Sequence, residues 1–219
     1  MTSKNADQAG GNAIIEEAIE RWNARYQSVD DYMYGTAPSQ FVVANVDRIP
    51  ANANVLCVAD GEGRNGVWLA EQGFAVTSVD ASHVALKRAE ALAQERGVNL
   101  KTVMANLVQW HWPQERYDAV VCVFIQFVGS RRRQEIFNHA IKALKPGGTF
   151  LLHGYRTEQI QFGTGGPPHM DNLYTESSLR RELSSLEKLQ IRSYDAEIYE
   201  GSGHAGMSAL VDVVGYRAS

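Results

Sequence analysis

The sequence predicts an α/β fold, a three-layer αβα sandwich around a mostly parallel seven-stranded sheet that ends in an antiparallel β-hairpin. Three observations predict it. From residue 55 onward short apolar runs alternate with helical patterns, as in a parallel sheet with crossover helices. A glycine-rich loop joins the first such run to its helix. Near the C-terminus two long extended runs are separated by a linker too short for a parallel crossover, so they must pair antiparallel.

Composition bounds the reading. The 219 residues are 44% hydrophobic and 21% charged, enough for one domain with a core that needs no disulfide or metal. A net charge of −4 argues against nucleic acid or anionic lipid as a partner. The only dense basic run, Arg131–Arg133, stands where a helix should start and reads as a solvated face. Cys57 and Cys122 lie in the apolar runs VLCVA and VVCVF, as buried thiols in a reducing compartment. No apolar signal core and no run of about eighteen apolar residues is present, so a cytoplasmic protein without a membrane partner is expected.

Taken in order, residues 1–11 read as a disordered tail. Residues 12–50 read as a helical lid: an amphipathic helix to about Gln27, the breakers Gly35 and Pro38, then a short helix from Phe41 to Arg48 stopped by Pro50. The main domain, 51–219, opens with the strand 55–59. A helix from Arg64 to Gln72 follows and closes at Gly73. The second strand is 74–80, and Ser82 caps the next helix, which Gly97 ends. Strands three and four are 100–106 and 117–124. A helix from Gln134 to Leu144 and a tight KPGG turn lead to strand five, TFLLHGY. Beyond a glycine- and proline-rich loop (162–168) and a helix near Thr175–Leu186 come the hairpin strands LQIRSYDAEIYE and MSALVDVVGYR, with GSGHAG between them.

The strongest motif is ADGEGRNG, residues 59–66, between strand one and its helix. Glycines let the backbone turn sharply and approach a ligand, and the helix N-terminus offers unpaired amides to negative charge. Asp80 ends strand two, where a carboxylate can take both hydroxyls of a ribose. This logic serves a dinucleotide or S-adenosylmethionine equally. About fifty residues precede the glycine strand, no further domain is evident for a hydride acceptor, and the sheet ends antiparallel. These three points favour adenosylmethionine.

The pieces WNARY, YMYGTAPSQF, VLCVADGEGRNGVWLA, VTSVDAS, LKPGGTF and EIYEGSGHAGMSALVDVVGYR resemble the class I S-adenosylmethionine-dependent methyltransferases, Rossmann-like proteins, over residues 14–217. Within them the chain is similar to a small bacterial group related to tellurite-resistance and, more distantly, thiopurine methyltransferases. The resemblance implies that Ala59, Asp60, Gly61, Glu62, Gly63, Arg64 and Asn65 cradle the cofactor while Asp80 and Ala81 hold its sugar. Asn106 and Leu107 would meet the adenine, Val123 and Phe124 the sulfonium and adenine, and Arg25, Tyr26 and Tyr34 the methionine end. One departure stands out: many relatives carry an acidic residue where this chain has Cys57, and a glycine where it has Ala59. Asp60 is three residues out of register with that acidic position and should point elsewhere.

The acceptor is expected to be a small molecule. No Asn/Asp-Pro-Pro-aromatic element, which grips a nucleobase amine, follows strand four; the chain reads VFIQFVGS. Tyr155, His169, Tyr174 and His204 are expected to line its pocket, with His153 or His204 as the base and Tyr155 beside them. Each histidine also has a structural reading, His153 as a bonded core residue and His204 as a hairpin closure. A soft nucleophile (a thiol, a selenol or a tellurite-like oxyanion) fits best, because such groups ionise near neutral pH and need mainly orientation. The alternatives are a nicotinamide-dependent oxidoreductase and a non-catalytic adenosylmethionine-binding regulatory module.

Overall fold

The computed structural model describes residues 16–219 apart from Ser202. The proposed tail, and Ile14 and Ile15 of the first helix, lie outside the described residues. Seven strands form one sheet in the order β3-β2-β1-β4-β5-β7-β6. These are β1 (Asn54–Val58), β2 (Ala75–Asp80), β3 (Lys101–Met104), β4 (Tyr117–Val123), β5 (Leu144–Tyr155), β6 (Leu186–Glu200) and β7 (His204–Arg217). The first five pair parallel, and β7 runs antiparallel to both β5 and β6.

Alternation along the central strands fills both faces. Leu56 and Val58 of β1, with Val120 and Cys122 of β4, join one core with Phe137 and Leu179. Val55 and Cys57, with Ala119 and Val121, join the opposite core with Phe41, Val42 and Leu69. Burying each such side chain contributes about 1.5–3 kcal/mol, so a slip of one residue, which would exchange the two sets, is strongly disfavoured. The same alternation puts the two buried cysteines on opposite faces, and both are free thiols.

The helices are α1 (residues 16–27), α2 (Gln40–Asn45), α3 (Arg64–Glu71), α4 (His83–Glu95), α5 (Ser130–Ala143), α6 (Gln159–Phe162) and α7 (Glu176–Glu182). Helix α2 continues as a 3-10 turn, Val46–Arg48. Ser82 caps α4, its hydroxyl accepting from the Ala85 amide at 3.1 Å, and Gly73 and Gly97 follow α3 and α4 in the left-handed region.

Four expectations are corrected. Helix α5 begins at Ser130, four residues early, because the Asp171 carboxylate accepts from the Ser130 amide at 2.9 Å and supplies the missing cap. Arg133 therefore leaves solvent. Its side chain, 5% exposed, makes two 2.8 Å bonds to Glu182 and lies under the Tyr174 ring. KPGG is a bulge inside β5 rather than a turn before it: pairing with β4 jumps from Tyr117↔Leu144 to Ala119↔Thr149, with Gly147 at φ 73°. Helix α7 stops at Glu182, since Leu186 already pairs with Arg217 in the hairpin.

Candidate active site

The strand order reverses between β1 and β4, and ligands of open α/β sheets bind outside the carboxyl ends of strands at such a switch. A cavity of about 750 Å³ lies there. Helix α1 and the following loop cover it from one side, and Gly166, Pro167, Pro168 and Asn172 wall it from the other. The cover is tied down: Ser82 donates to Asn23 Oδ1 at 2.7 Å, and Tyr26, Met33 and Ala85 pack together.

The glycine loop is built to turn under strain. Ala59 at φ 48°, Gly61 at 58° and Gly63 at 82° all occupy the left-handed region. A Cβ on Gly61 would lie 2.8 Å from the Tyr26 hydroxyl, so this glycine lets the cover seat on the loop. Asp80 lines the cavity and accepts from the amides of Gly61 at 2.9 Å and Ser82 at 2.8 Å. Burial raises its pKa above the ordinary carboxylate value, against those bonds.

The sequence-predicted residues Arg25, Tyr26, Tyr34, Ala59, Gly61, Arg64, Asn65, Asp80, Ala81, Asn106, Leu107, Val123 and Phe124 all line this cavity. Two loop residues, Glu62 and Gly63, lie outside the cavity lining. Glu62 turns inward, where its carboxylate accepts from the Met33 amide at 2.8 Å and from Arg88 at 2.7 Å. Gly63 packs α3 on α4; a Cβ there would meet that of Ala89 at 2.6 Å. Asp60 borders the cavity, but its carboxylate accepts from Ser78 at 2.8 Å and from the Gly66 amide at 3.2 Å, away from the register of the missing acidic residue. Burial pushes its pKa up to about 7.

The far side of the cavity is aromatic. Phe124, held at φ 54°, brings its ring centroid 4.3 Å from that of His204 and 4.6 Å from that of Tyr155. Tyr34 packs at a tilt against His204, with ring centroids 4.5 Å apart. A bulky residue in the left-handed region costs about 1–3 kcal/mol, and such strain gathers at functional sites. The Tyr155 hydroxyl and His204 Nδ1 are buried with no hydrogen-bond partner among the described residues. Burial, first, and the charge of Arg64 hold the His204 imidazole below its ordinary pKa, opposed by Glu200.

Three expected pocket residues are elsewhere. His153 is a core histidine, bonded through Nδ1 to Asp212 at 2.7 Å and stacked on Phe41 at 5.2 Å, outside the cavity lining. It stands two residues before Tyr155 on the same face of β5, about 7 Å deeper in the sheet. Tyr174 is fully buried with Phe137 and the Arg133 guanidinium, and His169 is exposed. Sequence reading missed Gln126 and Arg132, which do line the cavity. Gln126 accepts from the Tyr155 amide and donates to its carbonyl at 2.6 and 2.8 Å, fixing the end of β5. No sequence signal set Arg132 apart from its neighbours in the basic run.

Residues 55–148 match the model of a methyltransferase domain family. A glycine/sarcosine N-methyltransferase of Halorhodospira halochloris is 30% identical over 140 residues, covering 54% of this chain and 51% of that protein. The chain thus spans about half the length of this curated relative. Among solved structures, the N-methyltransferase NodS of Bradyrhizobium japonicum WM9, in complex with S-adenosyl-L-homocysteine, superposes with TM-score 0.70 at 15% identity, covering 94% and 99% of the two chains. TehB of Haemophilus influenzae gives 0.68 at 20%, covering 84% of this chain and 63% of that one. These superpositions establish the fold. Residues 55–148 are thus similar to a methyltransferase domain, carried on the fold that these structures share. Among the described residues no helix is long and apolar enough to cross a membrane.

Proposed function

We propose that the protein transfers a methyl group from S-adenosylmethionine to a small, anionic, soft nucleophile: a thiolate, a selenolate or a tellurite-like oxyanion. The observation that carries this reading is one cavity with two unlike halves. The half at β1 and β2 offers backbone amides and Asp80; the half at β4, β5 and β7 offers the buried, unpartnered Tyr155 hydroxyl and His204 nitrogen.

The residues fit the cofactor. Asp80 would hold the ribose hydroxyls, Asn106 and Leu107 the adenine, and Arg25 with the glycine-loop amides the methionine carboxylate. A cavity of about 750 Å³ falls in the range of small-molecule sites. Residues 16–50 act as the lid of the 51–219 domain. Bound S-adenosylmethionine supplies a methyl group already activated on a sulfonium sulfur. The chain's own work is to orient the acceptor, exclude water and handle its proton. Phe124, Tyr34 and Tyr155 make the acceptor half dry, and the Tyr155 hydroxyl is free to donate to an anion. Arg132, on the first turn of α5, lines the wall with no acidic partner among the described residues and favours a negatively charged acceptor. His204 is neutral at physiological pH, because burial depresses its pKa, so it can accept a proton from an un-ionised acceptor.

An amine acceptor is the second reading, favoured by the name of the Halorhodospira relative and by a neutral histidine in the pocket. A radiolabelled methyl-donor assay against thiols, selenols, tellurite, glycine and simple alcohols separates the two. Label on a chalcogen acceptor supports the proposal, and label on glycine alone replaces it with the second reading. Cofactor binding without transfer to any acceptor leaves a regulatory module. A nicotinamide enzyme would instead gain thermal stability from NAD and none from adenosylhomocysteine.

A further inference from the structure

Arg64 opens α3 directly after the glycine loop, and Glu200 ends β6. Arg64 Nη2 donates to Glu200 Oε2 at 2.7 Å, and the two side chains are 8% and 14% exposed. The same carboxylate oxygen lies 3.6 Å from His204 Nδ1, just beyond hydrogen-bond reach. A buried ring nitrogen with no partner is costly, and a small rotation of the imidazole closes this gap.

We propose that Glu200 is a positioning residue that accepts the Nδ1–H of His204, so that the Nε2 lone pair faces the acceptor, while Arg64 anchors this carboxylate to the cofactor loop. A proton taken from the acceptor then rests on Nε2 beside a fixed negative charge and passes from there to solvent. The second nitrogen of a histidine base is oriented in this way wherever a carboxylate backs the ring.

Besides the Phe124 ring, the titratable and charged groups facing the imidazole come from five elements. Glu200 of β6 favours protonation of the imidazole, whereas Arg64 of α3 and Arg25 of α1 oppose it. Tyr34 of the lid loop and Tyr155 of β5 pack on it as neutral rings. His153 acts on Glu200 through its charge. Burial resists ionisation of Glu200, yet His204, Arg64 and His153 together bring its pKa down to about 2, so the carboxylate is charged at any working pH. Arg64 and His204 thus compete for one oxygen, and removing Glu200 or Arg64 must move the His204 midpoint in opposite directions.

The inference rests on His204 being the group that meets the acceptor, but its test needs no acceptor. Nitrogen-15 NMR of the whole ligand-free protein, with His204 assigned through the His204→Gln variant, reads both tautomer and titration midpoint. The neutral ring is expected to carry its proton on Nδ1. Glu200→Gln, which keeps the shape and removes the charge, should lower the midpoint by about one unit, and Arg64→Gln should raise it by about half a unit. A wild-type ring protonated at Nε2, or an unchanged midpoint in either variant, overturns the proposal. Should Glu200→Gln fail to fold, the wild-type tautomer and Arg64→Gln decide it. Failure of the acceptor reading is seen separately, as full turnover in a His204→Ala enzyme.

Discussion

The two halves of the cavity are made differently. On the β1–β2 side the polar groups are already satisfied: Asp80 holds the amides of Gly61 and Ser82, and Asp60 holds Ser78 and Gly66. On the β4–β5–β7 side the chain leaves the Tyr155 hydroxyl and His204 Nδ1 buried and unpaired inside an aromatic box. A bonded loop keeps its shape without ligand, which suits a cofactor common to many enzymes. Unpaired buried groups cost stability unless a ligand or a shift supplies partners, which suits a site that selects its acceptor. Substitutions that disrupt the bonding or packing of the first side should therefore damage folding and cofactor uptake together, relief of its buried charge or backbone strain should stabilise it, and substitutions on the second side should damage turnover alone.

The largest effect is expected at His204. His204→Ala should lower turnover by about 10²–10⁴-fold while the affinity for adenosylhomocysteine stays within about twofold, as measured by rate assay and calorimetry. A parallel loss of cofactor affinity would erase the distinction between the halves. Gly63→Ala tests the other side. With φ at 82° and the Ala89 Cβ 2.6 Å from the added methyl, α3 and α4 must move apart, and denaturant melts should show a loss of about 3 kcal/mol. An unchanged midpoint would mean the loop is softer than its bonding implies.

Asp60 sharpens the comparison through pH. Its folded pKa of about 7 lies above the ordinary 3.8, so its contribution to stability is full below 3.8 and is lost as pH rises through 7. Asp60→Asn should melt above wild type at pH 8, by a few degrees, and lose that advantage by pH 5. A constant difference across that range would remove Asp60 from the account. The smallest effect is at Ala59: relieving its φ of 48° by Ala59→Gly should stabilise the protein by about 0.5–1 kcal/mol in thermal melts. A loss would show that the methyl packs better than the backbone strains.

The same division decides what was legible in the sequence. The segment from Val55 to Asp80 could be read because its determinants are local: an apolar run, glycines at positive φ, a helix start and a carboxylate ending the next strand. The hairpin was legible from linker length alone. Glu62 was misread because its partners, Met33 and Arg88, stand 29 and 26 residues away and no local pattern announces them. His153, read in a strand, and His204, read in the hairpin linker, both stood as candidate bases; the depth of His153 in the sheet, and the Asp212 opposite it, separate a core residue from a pocket residue. Tyr174 was lost to a cation–π contact with Arg133, itself drawn inward by Glu182. Such pairings are tertiary and leave no spacing to count.

The central claim is that the bonded half of the cavity, with Asp80 at its edge, is where adenosylmethionine sits. Titration calorimetry of the whole protein with adenosylhomocysteine tests it most directly. Wild type should take up one equivalent, and Asp80→Ala should bind about 10²-fold more weakly, as expected when a charge-assisted bond to the sugar is removed. No uptake by folded wild type, or equal uptake by the variant, would contradict it.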